Sequence, residues 1–304
     1  MRVVELYCGI GGVAAALGPA LARDTAQIVA AVDVNTVALG VYGHNFPGHE
    51  TFCRSVESVE PKRAAAWDAD LWWASPPCQP FTRRGLSKGL DDARARTFVA
   101  LMDLVAAVRP PSFAMENVVG FETSAARDLL LRTLEGAGYS ELREHLVCPQ
   151  ELGRPNRRPR YYAVASRNSL GPGPSLEPDR RSLDEALEPF EPSPDAIDSL
   201  RLTPEHLRRY DGALHIVERH DPDAVTGCFT SAYGRSHVRS GSFLRHGTGA
   251  RRFSPREILS LLDFPASYQL PADLSAKSAW RLVGNSLALE PVRRALGQIP
   301  GLEV

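Results

Sequence analysis

The sequence predicts an α/β protein, a doubly wound and mostly parallel sheet with helices on both faces, carrying a smaller second domain. Three observations predict it. The first 165 residues alternate strand-like and helix-like patterns. A glycine-rich turn, Gly9-Ile10-Gly11-Gly12, joins the first apolar run to the first helical one. After about Asn168 the composition turns proline- and loop-rich.

The elements follow in order. Val3-Val4-Glu5-Leu6-Tyr7 reads as a short strand, and an Ala/Leu-rich helix over Val13 to Ala22 follows the glycine turn. A second strand, Ile28 to Val32, ends at Asp33 and leads into a helix reaching about His44. Leu71-Trp72-Trp73-Ala74 is a strand broken by Pro76-Pro77. Ala93 to Val108 is helical, with Arg109-Pro110-Pro111 as its stop. Ser112 to Met115 is a strand ending at Glu116-Asn117. Ala125 to Ala137 is a helix closed by Gly138, and Tyr161 to Ala165 is a further strand. Residues 171–274 form the predicted small domain, and residues 1–170 with 275–304 the large one, the helices near Ser278–Leu282 and Glu290–Leu296 returning to it. In open sheets of this kind ligands bind at the carboxyl ends of the strands. Gly9–Gly12, Asp33, Ser75–Cys78 and Glu116 all fall at such ends, so the sequence places four candidate groups along one edge of one cleft.

Composition narrows the class. With 43% hydrophobic and 23% charged residues the chain is of ordinary globular type. No apolar run approaches the roughly 20 residues that span a bilayer, and no signal-peptide pattern opens the chain. A cytoplasmic protein that is monomeric and has no membrane partner is the expectation. Five scattered cysteines make no C-x-x-C pair, which argues against a zinc site. The net charge of −1 announces no polyanion partner, but its distribution does. From Phe229 to Arg256 there is no acid, against Arg235, Arg239, Arg245, Arg251, Arg252, Arg256, His237 and His246. A second cluster holds Arg154, Arg157, Arg158 and Arg160. Each cluster fits a solvated face or a polyanion contact; the long acid-free stretch favours the latter.

The chemistry-bearing residues each admit two readings. Tyr7-Cys8-Gly9-Ile10-Gly11-Gly12 fits a nucleotide-like ligand or a plain tight turn. Asp33, about 20 residues on, fits a ribose acceptor or a helix cap. Ser75-Pro76-Pro77-Cys78-Gln79-Pro80-Phe81-Thr82 fits a stiffened loop holding a thiol in a fixed place, or a buried cysteine beside a turn.

These blocks in this order resemble the cytosine carbon-5 methyltransferases. Tyr7–Gly12, Ser75–Phe81, Glu116-Asn117-Val118, Arg158-Pro159-Arg160 and Gly284-Asn285-Ser286 match in sequence over essentially the whole chain. The resemblance implies a Rossmann-like class I methyltransferase fold, S-adenosylmethionine as cofactor, and a target-recognition role for the small domain. It implies Cys78 as nucleophile, Glu116 as the acid that protonates ring nitrogen 3, and Arg158 and Arg160 at the base and catalytic loop. The two arginines, two apart, are expected on one strand face. The family's glutamine two residues before the first of them is Asn156 here. By the same resemblance the cofactor is held by Tyr7, Gly9, Ile10, Gly11, Gly12, Asp33, Val34, Ser55, Val56, Glu57, Ser75, Pro76, Asn285 and Ser286.

Further details resemble the family's tRNA-directed branch, which methylates an anticodon-loop cytosine. These are Phe81-Thr82-Arg83, Ala31 to Val37, Cys228-Phe229-Thr230 with Tyr233-Gly234, Gly241-Ser242-Phe243-Leu244, Arg251 to Ile258, and Leu262-Asp263-Phe264-Pro265. The Cys-Phe-Thr block equally fits a buried strand start. The branch implies tRNA as partner, with DNA as the alternative, and contacts from Thr82, Arg83, Arg84, Cys228, Thr230, Tyr233, Arg235, Arg239, Arg251 and Arg252. A non-catalytic nucleic-acid-binding relative would lack the nucleophile or the glutamate, and both are present.

Overall fold

The computed structural model describes residues 1–77, 96–173, 179–190 and 192–302. They form two compact units: Met1–Val147 with Pro159–Ser175 and Val292–Val304, and Cys148–Arg158 with Leu176–Pro291.

The larger unit runs β1 (Arg2–Leu6), α1 (Gly12–Ala16), α2 (Gly18–Ala22), β2 (Gln27–Asp33), α3 (Thr36–Asn45), β3 (Thr51–Cys53), α4 (Pro61–Ala65), β4 (Leu71–Ala74), α5 (Arg96–Val108), β5 (Ser112–Val118), α6 (Ala125–Gly136), β6 (Glu141–Val147) and β7 (Arg160–Ser166). The sheet order is β3-β2-β1-β4-β5-β7-β6. β1 to β5 pair in parallel, whereas β7 runs antiparallel to both β5 and β6. The strand order reverses between β1 and β4, the point at which an open α/β sheet leaves a crevice beyond its carboxyl ends.

Local chemistry explains the elements. β4 is buried along its whole length, as a strand covered on both faces must be. Leu6, Trp72, Phe113 and Met115 of the sheet join Phe98 and Leu101 of α5, Phe121, and Leu130 of α6 in one core. Asn35 starts α3 by accepting from the amides of Val37 and Ala38 at 3.1 and 3.2 Å. Arg109, with φ 54°, turns the chain out of α5 before Pro110.

Three features differ from the sequence expectation. The single helix over Val13–Ala22 is two short ones, separated at Leu17. β3 is only three residues long and shows no periodicity to read. β6 carries Glu141, Arg143, Glu144 and His145, unusual for a strand; it is an edge strand whose Glu144 takes a two-pronged bond from Arg127 of α6, both arms 2.7 Å.

The smaller unit holds α7 (Leu183–Leu187), α8 (Pro194–Leu200), α9 (Pro204–Arg209), β8 (Ile216–Val217), β9 (Phe243–His246), β10 (Gly249–Arg252), α10 (Pro255–Leu261) and α11 (Ala276–Gly284); α12 (Leu289–Leu296) follows. β9 and β10 form an antiparallel hairpin, with β8 parallel to β9. Phe229, Tyr233 and Phe253 meet edge to face at its centre, with Phe229 about 5 Å from each of the other two rings. The units differ from the division drawn from sequence, which assigned 148–158 and 275–291 to the large domain. Backbone bonds from Arg157 to Thr226 and from Thr226 to Pro155 tie the first segment into the smaller unit. Gly284 ties in the second, lying so close to Thr230 that no Cβ would fit.

Candidate active site

The glycine turn sits on a strained path. Tyr7, Gly9 and Gly11 take φ of 57°, 52° and 86°, and only glycine adopts such values at no steric cost. A Cβ on Gly11 would lie 2.7 Å from the Phe46 ring, whereas one on Gly9 would meet nothing within 4 Å. Gly11 is therefore fixed by packing, and the Gly9 backbone is open to a ligand. Tyr7, though it lies in the turn, points its hydroxyl at Thr97 of α5, 2.8 Å from Oγ1.

Asp33 ties this turn to the next strand. Its Oδ2 accepts from the Gly9 amide and its Oδ1 from the Asn35 amide, both at 2.8 Å. The helix-cap reading of Asp33 is thereby corrected, because Asn35 supplies the cap. Beside it, Val34 is 64% exposed, an apolar side chain left in solvent at a strand end. The Arg54 amide donates to the Asp33 carbonyl at 3.0 Å, which brings Ser55–Glu57 alongside. There Ser55 Oγ accepts from the Glu57 amide, and Val56 turns into the core, 3% exposed. Ser75, at the end of β4, donates its amide to the Leu6 carbonyl, and its hydroxyl oxygen accepts from Trp73 Nε1 at 2.9 Å.

Beneath the turn lies a residue that the sequence reading did not single out. Glu5 of β1 is 1% exposed, and its two carboxyl oxygens accept from the amides of Val13 and Ala14 at 3.0 and 3.3 Å. Tyr42 Oη lies 3.4 Å from Oε2 and 3.0 Å from His49 Nδ1. Burial pushes the Glu5 carboxyl up to about 8, against the backbone bonds that favour its charged form. Burial also lowers the half-buried His49, so Glu5 and His49, bridged by the Tyr42 hydroxyl, are both uncharged at neutral pH. A carboxyl inside an otherwise apolar strand, Val3-Val4-Glu5-Leu6, was the signal available.

At the end of β5, Glu116 and Arg160 come together. Arg160 Nε lies 3.0 Å from Glu116 Oε1, with side chains 15% and 11% exposed. β5 and β7 pair antiparallel, placing Val118 opposite Arg160 and Glu116 one step along the same face. Next to Glu116, Asn117 is 1% exposed and reaches the Pro76 carbonyl with its Nδ2 at 3.4 Å. Asn117 thus supports the start of the proline loop beside the Glu116 carboxylate. Cys78, Thr82, Arg83 and Arg84 lie outside the described residues.

Arg158 does not share a strand face with Arg160, because β7 begins at Arg160. It belongs to the smaller unit and is 4% exposed. Its Nη1 donates to the Phe229 carbonyl at 2.9 Å, and Nη2 to the carbonyls of Ser286 and Gly284. Cys228 Sγ lies 3.5 Å from Nη1. The guanidinium therefore locks the Cys228–Phe229 segment to the Gly284–Ser286 turn, a positioning role inside its own unit. Asn285 caps α11 and is exposed, and Ser286 is buried.

The residues expected at a nucleic acid separate into two groups. Arg235 and Arg239 are exposed, Arg252 is half-buried, and Cys228 and Thr230 are partly covered. Tyr233 and Arg251 are corrected to core residues. Tyr233 is 0% exposed, its hydroxyl donating to the Ser242 carbonyl and accepting from the Phe253 amide. Arg251 is 3% exposed and gives both Nη atoms to Glu257 at 2.9 and 2.7 Å. Both residues fix the local backbone.

A family model described as C-5 cytosine-specific DNA methylase matches residues 1–191. The chain belongs to that family. A tRNA (cytosine(38)-C(5))-methyltransferase of Spodoptera frugiperda is 31% identical, covering 97% of this chain and 98% of the relative. One of the same description from Homo sapiens is 29% identical over 97% and 98%. Among solved structures, the S. pombe Dnmt2 methyltransferase superposes with a TM-score of 0.82 at 29% identity, covering 97% of this chain and 96% of that one. The seven-stranded sheet described above is accordingly a methyltransferase sheet, and the chain is a cytosine carbon-5 methyltransferase by family.

Proposed function

We propose that the protein transfers a methyl group from S-adenosylmethionine to carbon 5 of an anticodon-loop cytosine in tRNA, through a covalent adduct on Cys78. The observation that carries the reading is the near-full-length similarity to relatives described as tRNA (cytosine(38)-C(5))-methyltransferases. The larger unit's own geometry supports the chemistry.

The cofactor fits the residues present. The open backbone at Gly9 would face its amino-acid end, the exposed Val34 offers an apolar surface to the adenine, and Asp33 retains lone pairs for the ribose hydroxyls. Ser55–Glu57, Ser75, Pro76, Asn285 and Ser286 are proposed as its further contacts. When bound it supplies an electrophilic methyl sulfonium.

The protein's part is to make carbon 5 nucleophilic. The Cys78 thiolate adds to carbon 6, forming a C–S bond and moving an electron pair toward carbon 5. Glu116 holds a proton at ring nitrogen 3, so that the ring does not accumulate negative charge. Arg160, paired with Glu116, orients that carboxyl. After methylation the carbon-5 proton leaves, the C–S pair returns to sulfur and the ring regains aromaticity. A stacked cytosine cannot be reached, so the base is taken from an exposed loop or flipped.

The test is methyl incorporation from labelled S-adenosylmethionine into total tRNA and, separately, into double-stranded DNA. Label in tRNA that vanishes in Cys78→Ala supports the proposal. Label in DNA alone would keep the chemistry and overturn the substrate, and label retained in Cys78→Ala would overturn the mechanism.

A further inference from the structure

The smaller unit carries a cluster of positive charge, around Arg209 and Arg252, with which no carboxylate pairs among the described residues. α9 is laid against the β9–β10 hairpin: the Leu202 amide donates to the Ala250 carbonyl at 2.9 Å, and Leu207 packs over Gly249. This brings His206, Arg209 and Tyr210 to His237. The His206 and Tyr210 rings lie 4.5 and 5.0 Å from the His237 ring, at 25° and 13° to it. Below, His237 is nearly parallel to the buried Phe243, at 6.2 Å. The loop is held there by serines on either side, Ser236 Oγ on the Val238 carbonyl and Ser240 Oγ on the Ser236 carbonyl.

Arg252 of β10 completes the cluster. Its Nη2 is 2.6 Å from His237 Nε2, which must then be the acceptor, leaving the imidazole proton on Nδ1. Its guanidinium lies 5.9 Å from the Trp280 ring of α11, and its buried Nε has no acceptor. Among the described residues no carboxylate pairs with Arg252 or with Arg209, whose guanidinium rests 5.6 Å over Tyr210. His237 Nδ1 and Arg252 Nη1 likewise make no hydrogen bond within the described protein. The acid-free stretch from Phe229 to Arg256 runs through the cluster, and Arg235 and Arg239 stand exposed on the same loop.

We propose that His206, Arg209, Tyr210, His237 and Arg252 form a docking site for a phosphodiester of the substrate RNA strand. One half-buried and one exposed arginine, free donors and rings able to stack on a base are what a single-stranded segment requires. A buried acid would have occupied these donors if the cluster served only the fold, as Glu257 does for the neighbouring Arg251. The proposal rests on the tRNA reading above and adds to it where the strand is held.

A consequence is linked protonation. His237 is held below its ordinary value by burial, then by the like charges of Arg252, His206 and Arg209, which face it from β10 and α9. A phosphate supplies the missing negative charge and draws the Arg252 guanidinium from His237 Nε2, so binding frees that nitrogen, raises His237 and takes up a proton. Affinity then rises as pH falls, by up to about tenfold per unit for one proton.

The experiment uses the full chain and an unmodified tRNA transcript, with Kd measured by fluorescence anisotropy across salt concentration and between pH 6 and 7.5. Arg209→Gln is a surface change that leaves the core intact, and Arg252→Met keeps the apolar stem over Trp280. Each should lower the slope of log Kd against log salt by about 1. His237→Gln should flatten the pH dependence of tRNA binding. Unaltered slopes in both arginine variants, or an undiminished pH dependence in His237→Gln, would overturn the site. Wild-type protein that binds tRNA in this way but methylates only DNA would overturn the substrate reading and leave the anion site standing.

Discussion

Glu5 should govern how the larger unit's stability changes with pH. Its carboxyl titrates near 8 in the folded protein, against 4.5 when unfolded. Folding therefore retains a proton that the unfolded chain releases. The stabilisation is full below about 4.5 and is lost as pH rises through about 8. Over the two units between pH 5.5 and 7.5, one proton at about 1.36 kcal/mol per unit gives a loss of about 2.7 kcal/mol. Glu5→Gln keeps the size and removes the titration. It also turns an NH2 toward one of the two amides that Glu5 accepts, from Val13 and Ala14, at about 1–3 kcal/mol for an orphaned buried donor. The variant should thus be less stable at pH 5.5, with the deficit shrinking by about 2.7 kcal/mol at pH 7.5. His49, lowered by burial, has the opposite sign, but it is common to both proteins and cancels in the difference. Urea unfolding followed by fluorescence of the buried Trp67, Trp72 and Trp73 at constant ionic strength measures this. Stability curves that run parallel across that range would refute the argument.

Other substitutions test other links. Gly284→Ala would place a Cβ 2.3 Å from the Thr230 carbonyl carbon; a loss of about 3 kcal/mol or more in thermal unfolding is expected. Arg251→Met strands Glu257, which is 1% exposed, and should cost about 3–5 kcal/mol, much of it recovered when Glu257→Met is added. Gly11→Ala, strained at φ 86° and pressed on Phe46, should lower the melting temperature of the ligand-free protein by several degrees in thermal unfolding. Glu116→Gln should lower kcat by about 10²- to 10⁴-fold in single-turnover methylation, with tRNA affinity little changed.

What could be read from sequence follows from how each feature is encoded. β1, β2, β4 and β5 announce themselves because strands covered on both faces need mostly apolar runs. β6 did not, since an edge strand tolerates charges and Glu144 has its partner on a helix. The Glu116–Arg160 pair was legible as two residues, but only the antiparallel register of β7 brings them to 3.0 Å. Arg158 looked equivalent to Arg160 by spacing, yet Pro159 separates a loop from a strand, and the two guanidiniums serve different units. Tyr233 and Arg251 matched a nucleic-acid-binding pattern, and only their burial reveals that they maintain the fold. The α9–His237 cluster joins segments about 30 residues apart, with no periodicity to betray it.

The Arg158 clamp has a consequence for how the chain is made. Its partners at Phe229 and Ser286 lie 71 and 128 residues further along. At ribosomal speeds of roughly 5–20 residues per second, that cation waits on the order of ten seconds after its own synthesis before the last carbonyl exists. Throughout that interval β7 has emerged and can complete the sheet, while Arg158, just before it, lacks the Ser286 carbonyl that completes its clamp. The nascent protein therefore has a built-in vulnerable window, with a half-made smaller unit tethered to a finished sheet. Truncation anywhere before Ser286 would make that window permanent.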